Sequence, residues 1–155
     1  MPESEYVWLP REDLLHFEET SAIVDRFIEL GVNRVRLTGG EPLLRRDLQR
    51  LVRMLSAKKA LIDLALTTNG VLLSEQIDDL ATAGLGRVTI SLDTLRRDRF
   101  IALTRFDELD RVQLGIEAAS RLFANGASPE AESLRSRPSD SEVRAMRGGG
   151  APRNK

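Results

Sequence analysis

Apolar residues recur every three or four positions in four stretches of the chain, the spacing that places them along one face of a helix. The predicted helices are about Phe17–Leu30, Arg46–Ser56, Glu75–Ala83 and Glu108–Ala124. Ser74 stands where an N-cap is expected before the third helix. Gly31 and Gly84 stand where the first and third helices are expected to end. A helix that is apolar along one stripe must bury that stripe against another element.

Three short stretches between these helices have the pattern of strands. Arg34–Leu37 alternates charged and apolar residues, Leu61–Leu66 is almost continuously apolar, and Arg87–Ile90 is the third. A continuous apolar run is typical of a strand that is covered on both faces. Repeated strand–helix units imply parallel strands with right-handed crossovers and helices on the outer face. The predicted fold class is therefore α/β, an incomplete barrel or small open sheet of about three parallel strands. Its two unpaired edges favour a homodimer or aggregation.

The most unusual run of the sequence is Arg36–Asp47, which begins in the first strand and continues through a glycine turn to the start of the second helix. Gly39 and Gly40 allow a positive φ and let a ligand approach the main chain closely. Pro42 excludes the helical region for Glu41, which keeps that carboxylate on the turn. Two glycines alone would indicate an ordinary strand–helix turn, but the length and composition of the whole run favour a binding site.

Polar side chains also follow the other two strands, Thr67–Asn69 after the second and Ser91 with Asp93 after the third. The carboxyl ends of parallel strands meet at one edge of a sheet, where ligands bind. We therefore expect the three strand ends to form a shared pocket. The structural alternative stays open for each residue taken alone: the threonines and Ser91 as turn formers, Asp93 as a helix cap and Arg36 as a paired surface charge.

The composition limits the classes of partner. The 155 residues suit one domain, and 41% hydrophobic with 30% charged residues is ordinary for a globular chain. A net charge of −1 gives no basic field for nucleic acid or a membrane surface. The sequence shows neither an apolar run of roughly 20 residues nor a signal-peptide pattern. The expected location is the cytoplasm.

The chain contains no cysteine. Disulfides and cysteine ligands for an iron–sulfur cluster are therefore excluded within it. Its one histidine, His16, cannot form a metal site alone and is expected on the surface or at the start of a helix. Residues 127–155 carry only three large apolar side chains, Leu134, Val143 and Met146, among serines, arginines, prolines and glycines. This composition predicts a disordered tail, with one domain over residues 1–126.

The sequence resembles the radical S-adenosylmethionine enzymes, and among them the GTP 3′,8-cyclase family (molybdenum cofactor biosynthesis protein A). The resemblance rests on the glycine turn and on further segments in the same order and spacing, from about Met1 to Gly126. These are Trp8–Arg11, Leu64–Gly70, Ala83–Leu85, Arg87–Asp93 and Gly115–Ala119. The resemblance implies a segment of the partial (βα)6, TIM-like barrel of these enzymes.

The resemblance also implies a function. In the family a [4Fe–4S] cluster cleaves S-adenosylmethionine, and the deoxyadenosyl radical abstracts a hydrogen from GTP. The product is (8S)-3′,8-cyclo-7,8-dihydroguanosine 5′-triphosphate, a precursor of the molybdenum cofactor, and the enzyme is a lyase. Carried over by position, Gly39, Gly40, Glu41 and Ser91 would contact S-adenosylmethionine, whereas Arg36 and Thr67 would contact GTP.

Two departures from the family pattern restrict this function. Met1-Pro2 matches the residues that follow the last cysteine of the family's cluster motif, and the tail after Gly126 no longer resembles the family. The chain is therefore expected to be a fragment without the three-cysteine motif and the C-terminal part. An upstream true start or a truncated gene would explain the first departure, and a frameshifted end or a genuine disordered tail would explain the second. No catalysis is expected from the chain alone.

Two alternatives remain beside the cyclase. One is a fragment of another radical enzyme, such as a peptide-modifying maturase; Trp8–Arg11 and Arg36–Asp47 favour the cyclase. The other is a module without a cluster that binds a nucleotide, S-adenosylmethionine or a protein partner.

Overall fold

The structure, a computed structural model, describes residues 14–123. This part of the chain contains three parallel strands and five α-helices. The strands are β1 (Arg34–Leu37), β2 (Asp63–Thr68) and β3 (Arg87–Ile90). The helices are α1 (Phe17–Glu29), α2 (Leu48–Ser56), α3 (Leu73–Thr82), α4 (Arg97–Thr104) and α5 (Leu109–Phe123), with a 3₁₀ helix at Pro42–Leu44. The predictions for Met1-Pro2, Trp8–Arg11 and the tail over residues 127–155 lie outside the described residues. No helix within residues 14–123 has the length and apolar character to cross a membrane.

The sheet has the order β1-β2-β3, and both pairs are parallel. In the first pair Arg34 lies opposite Asp63. In the second pair Ala65 lies opposite Arg87, and Thr68 lies opposite Ile90. The predicted α/β class is confirmed. Because the strands are parallel, their carboxyl ends lie along one edge of the sheet.

One face of the sheet carries the hydrophobic core. Leucines of α2, α3 and β2 form a cluster that Val24 of α1 and Ala118 of α5 complete. The strand residues that pack on this cluster from the sheet are Val35, Leu37, Leu64, Leu66, Val88 and Ile90. Since side chains alternate along a strand, the intervening residues lie on the opposite face. These are Arg34, Arg36, Asp63, Ala65, Thr67, Arg87 and Thr89. The second face is therefore mostly polar, but β2 is also buried on this face at Ala65, which is 1% exposed, as expected for a strand covered on both faces.

Strand β2 begins and ends two residues later than predicted. Leu61 and Ile62 precede the strand: the amide of Leu61 closes a turn onto the carbonyl of Lys58 at 3.0 Å, and the amide of Ile62 donates to the carbonyl of Asn33, just before β1, at 2.8 Å. At the other end the strand continues into the threonines, because Thr67 pairs with Thr89 of β3. Of the three polar residues expected just beyond β2, Thr67 and Thr68 are thus its last two residues, and Asn69 follows it as predicted.

The starts of two helices also differ from the prediction. Helix α3 begins at Leu73, its N-cap is Leu72, and Ser74 lies in the first turn, so the predicted Ser74 cap is wrong. The amide of Leu73 donates to the carbonyl of Gly70 at 3.2 Å, which starts the helix earlier. Helix α2 begins at Leu48 because the preceding Asp47 takes a left-handed conformation with φ 59°.

Helix α4 was not predicted from the sequence. Phe100 is its only buried residue, so no apolar stripe marks it. Ion pairs hold its first turn: Arg97 contacts Asp107 at 2.8 Å and Asp110 at 3.0 Å. The third strand is therefore followed by two helices rather than one.

Candidate functional site

The three strand ends are joined by hydrogen bonds at one edge of the sheet. The amide of Ser91, just after β3, donates to the carbonyl of Thr68 at 2.9 Å. The amide of Asn69, just after β2, donates to Oε2 of Glu41 at 2.8 Å. The turn after β1 and the ends of β2 and β3 are therefore held together through Thr68, Asn69 and Glu41.

The turn after β1 is open to solvent. Gly39 has φ 141°, a conformation that favours glycine, whereas Gly40 lies outside the positive-φ range. A Cβ added at either glycine would meet no other atom within 4 Å. Glu41 is extended, with φ −145° and ψ 108°, as expected before Pro42. The main chain of the two glycines is thus exposed, and nothing in the described fold requires glycine at position 40.

The carboxylate of Glu41 connects this turn to β2. Its Oε1 accepts hydrogen bonds from the amide of Leu43 at 3.0 Å and from the hydroxyl of Thr68 at 2.8 Å. Its Oε2 accepts from the amide of Asn69 at 2.8 Å. An ionised carboxylate has about four acceptor positions. Three are used by the protein, so acceptor capacity for one more donor remains.

Thr67 carries a buried hydroxyl without a hydrogen-bond partner among the described residues. A buried polar group that lacks a partner destabilises a fold. Such groups are rare enough that each needs an explanation. A hydroxyl that bonds a ligand is one such explanation.

Two arginines lie on the polar face of β1. Arg34 and Arg36 are both exposed, and neither makes an ion pair within residues 14–123. By contrast, Arg87 on β3 pairs with Asp63 at 2.6 Å. Sequence analysis selected Arg36 but passed over Arg34, although the alternation of β1 places the two on the same face.

Other arginines after the glycine turn have structural roles. Four arginines follow the turn, and Arg46, Arg50 and Arg53 are exposed whereas Arg45 is not. Arg45 is half-buried, donates to the carbonyl of Leu15 and lies 4.5 Å over the ring of Phe17. Arg50 pairs with Glu18 of α1. These contacts attach α1 to the segment around α2.

Two further residues considered from the sequence, His16 and Asp93, take no part in the hydrogen bonds that join the strand ends. His16 is the N-cap of α1, as predicted, and its amide donates to Glu19 at 2.7 Å. Asp93 does not cap α4, since the N-cap of that helix is Arg96. Asp93 is exposed beside Ser91. Among residues 14–123 no group of three metal-ligating side chains occurs.

The perturbed charges lie away from the strand ends. Hydrogen bonds to Asp107 and Asp110 raise the pKa of Arg97, at the start of α4. The hydrogen bond to Glu75 raises the pKa of Arg111, which lies on α5. These pairs fasten the last two helices and do not touch the glycine turn.

A cavity of about 270 Å³ lies between β3 and α5. Its lining residues are Gly86, Arg87, Val88, Ile116, Ala119, Ser120 and Phe123. Gly86 and Arg87 are at the amino end of β3, whereas Ser91 is at the carboxyl end. The cavity is therefore separate from the candidate site, which is an exposed surface at the other end of the strands.

The chain is similar to known enzymes over most of its length. Residues 4–128 match the Radical SAM superfamily. GTP 3′,8-cyclase 1 of Mycobacterium tuberculosis is 54% identical over 124 residues, 77% of this chain and 34% of the relative. GTP 3′,8-cyclase 3 of Mycobacterium bovis is 55% identical over 124 residues, 77% of this chain and 33% of the relative. GTP 3′,8-cyclase of Ectopseudomonas mendocina is 52% identical over 110 residues, 71% of this chain and 33% of the relative.

The chain thus spans about a third of the length of the curated relatives it matches. The family match includes every described element, from α1 to α5, and the glycine turn. The three parallel strands with outer helices are consistent with a segment of a TIM-like barrel. On sequence and structure together, this chain belongs to the radical SAM superfamily.

Proposed function

We propose that this chain binds S-adenosylmethionine at the carboxyl ends of its three strands and supplies part of the GTP site of a GTP 3′,8-cyclase. The observation that carries this proposal is the open turn at Gly39 and Gly40, which Glu41 fastens to the end of β2. The names of the similar enzymes support GTP as the substrate, and the sequence resemblance implies a role in molybdenum cofactor biosynthesis.

The chemistry of the turn suits the amino-acid end of S-adenosylmethionine. That end carries an ammonium group, which donates hydrogen bonds, and a carboxylate, which accepts them. Main-chain carbonyls of Gly39 and Gly40 and the remaining acceptor capacity of Glu41 match the ammonium. The hydroxyl of Ser91 adds a donor at the neighbouring strand end. When bound, S-adenosylmethionine supplies the group that starts radical chemistry, while these residues hold and orient it.

GTP would contact the polar face of the sheet. Arg36 offers a planar fork of donors that matches phosphate oxygens, and it has no ion pair among residues 14–123. Arg34, on the same face, extends the positive charge. The unpartnered hydroxyl of Thr67 would gain its missing hydrogen bond from the nucleotide.

The residues present do not fit the family's [4Fe–4S] cluster. The cluster is held by cysteine thiolates, and the sequence contains no cysteine. Binding and orientation of the two ligands are therefore assigned to this chain, and reductive cleavage of S-adenosylmethionine is not. After reconstitution with iron and sulfide, we expect no cluster absorbance and no deoxyadenosine. Formation of deoxyadenosine would contradict this assignment.

A second candidate is a binding module that has the ligand site without catalysis, and the open turn at Gly39 and Gly40 supports it equally. It predicts the same affinity for S-adenosylmethionine and a role that needs no turnover. The two candidates separate when the chain is added to a cyclase assay: a module leaves the yield of cyclised GTP unchanged or lowers it.

We further propose one domain over residues 1–126 and a tail over 127–155; the end of the family match at residue 128 supports this boundary.

The test is equilibrium dialysis of the full chain against S-adenosylmethionine, with Gly40→Ala as the variant. The added methyl group meets no protein atom within 4 Å, so the fold should be unaffected. The methyl would occupy space that the ligand needs, and we expect affinity to fall at least about tenfold, or about 1.4 kcal/mol.

Gly86→Ala is the matched control. Its Cβ would lie 3.4 Å from the carbonyl of Leu64, an ordinary contact, at the opposite end of the strands. We expect this variant to bind like the wild type. Absence of saturable binding by the wild type, or equal affinities of the two variants, would contradict the proposed site.

A further inference from the structure

We propose that Thr68 is a positioning residue that holds the S-adenosylmethionine contacts of β1 and β3 in place through β2. The inference rests on the proposed function, since the groups that Thr68 holds are Glu41 and Ser91. Thr68 itself is 2% exposed and so has little surface for a ligand. Its effect on binding would act through the residues to which it is hydrogen-bonded.

Thr68 uses both its side chain and its main chain for this purpose. Its hydroxyl donates to Oε1 of Glu41 at 2.8 Å and accepts from the amide of Gly70 at 3.0 Å. Its carbonyl accepts from the amide of Ser91 at 2.9 Å. One buried residue is therefore bonded to the glycine turn after β1, to its own turn after β2 and to the end of β3.

The hydroxyl is the part of Thr68 that the turn after β1 depends on. Among the three donors to Glu41 within residues 14–123 it is the only side chain; the other two are the amides of Leu43 and Asn69. Without the hydroxyl, Oε1 of Glu41 keeps only the hydrogen bond from the amide of Leu43, which belongs to the same turn. The carboxylate would then be fixed to β2 by the Asn69 amide alone and could rotate. An acceptor that must be ordered when the ligand binds gives weaker binding than one ordered beforehand.

The hydroxyl of the neighbouring Thr67, by contrast, makes no hydrogen bond that holds the described fold together. Its hydroxyl has no partner within the described residues, and its side chain lies on the polar face. The hydroxyl of Thr67 is thus available to a ligand, whereas the hydroxyl of Thr68 fixes the positions of neighbouring protein groups.

The experiment measures the dissociation constant of S-adenosylmethionine on the full chain for the wild type, Thr68→Val and Thr68→Ser. Valine keeps the shape and removes the hydroxyl, whereas serine keeps the hydroxyl. We expect Thr68→Val to bind at least about tenfold more weakly, about 1.4 kcal/mol, and Thr68→Ser to restore most of the affinity. Thr68→Cys, with a weak donor of similar size, should be intermediate and replaces valine if that variant does not fold.

Ser56→Ala is the control for a general loss of stability. The hydroxyl of Ser56 donates to the carbonyl of Ala83 at 2.7 Å, so this variant also loses a partly buried hydroxyl bond, but between α2 and the end of α3. It should bind like the wild type. If Ser56→Ala weakens binding as much as Thr68→Val, the effect is one of stability and the inference is overturned.

A double-mutant cycle tests whether Thr68 acts through Glu41. If it does, adding Glu41→Gln to Thr68→Val should weaken binding by less than the sum of the two single effects. Additive effects would overturn the inference. Equal affinity of the wild type and Thr68→Val would overturn it as well and leave the proposed function intact. No binding by the wild type would overturn the proposed function, and this proposal with it.

Discussion

At the residue scale, the end of β2 places two adjacent threonines in opposite roles. Thr67 has a buried hydroxyl without a partner among residues 14–123, whereas the hydroxyl of Thr68 makes two hydrogen bonds. Removing an unsatisfied group and removing a satisfied one have opposite effects on stability. Substituting valine for each threonine therefore tests the site, because the variant at one position is the control for the variant at the other.

We expect Thr67→Val to keep or raise the free energy of unfolding, by up to about 1 kcal/mol, because it removes a buried group that has no partner. Thr68→Val should lower it by about 1–3 kcal/mol, since it leaves Glu41 and the amide of Gly70 short of a partner. Urea unfolding of both variants measures the difference. Equal losses would mean that the hydroxyl of Thr67 is bonded in solution.

Some residue-level features could be read from the sequence and others could not. The extended conformation of Glu41 follows from Pro42, because the restriction that proline imposes is local. The bonds from Glu41 to Thr68 and Asn69 could not be predicted, because they join positions 27 and 28 residues apart. Arg34 could have been found by applying the strand alternation to β1.

At the element scale, α5 packs against the turn that follows β2. A Cβ added at Gly115 would lie 2.6 Å from the carbonyl oxygen of Gly70 and 3.1 Å from Cβ of Leu73. The first distance is shorter than real contacts allow. The glycine therefore lets α5 approach the start of α3, directly behind the end of β2.

Gly115→Ala should lower the free energy of unfolding by about 1–3 kcal/mol, because the methyl group overpacks this contact. Ser120→Ala, at an exposed position of the same helix, should change it by no more than about 0.5 kcal/mol. Chemical denaturation measures both values. If the two variants are equally stable, the close contact between α5 and Gly70 is absent in solution.

Helix α4 should respond to acid through its first turn. The side chain of Arg96, with the amide of Arg99, holds the pKa of Asp98 below the ordinary aspartate value. A lowered pKa in the folded state gives stability that is present above the unfolded pKa and is lost as the pH falls through the folded one. Thermal unfolding should therefore show Asp98→Asn slightly less stable than the wild type at neutral pH, with the difference vanishing in acid. Asp78→Asn, at an exposed position on α3, is the control; a difference that grows in acid would contradict the assignment.

The elements themselves were largely predictable. β1 and β3 match their predicted bounds, since each strand alternates between a polar and a core-facing residue. The bounds of β2 were misjudged because hydrophobicity alone cannot show where pairing with β3 ends. Helix α4 was missed because tertiary ion pairs, rather than an apolar stripe, hold it.

At the scale of the whole molecule, the described sheet has β1 and β3 as its edge strands. Large apolar side chains are also exposed at the end of α1, with Phe27 in its last turn at 51% and Leu30 just after it at 81%. Open edges and exposed apolar surface both favour association. A homodimer or aggregate therefore remains a prediction for the isolated chain.

Sedimentation velocity over a range of protein concentrations tests this prediction. We expect the mean sedimentation coefficient to rise with concentration, and Phe27→Gln to reduce that rise by removing apolar surface. Glu29→Gln, at an exposed position on the same helix, is the control and should leave the rise unchanged. A single monomeric species at all concentrations would contradict the expected association.

The central claim is that S-adenosylmethionine binds where the three strands end, and a titration followed by amide NMR of the labelled chain tests it most directly. The account predicts saturable shifts of the amide signals of Gly39, Gly40, Asn69 and Ser91. It also predicts unchanged signals for Gly86 and Ser120 of the cavity beside α5. Shifts concentrated at that cavity, or no saturable shift at the glycine turn, would contradict the account.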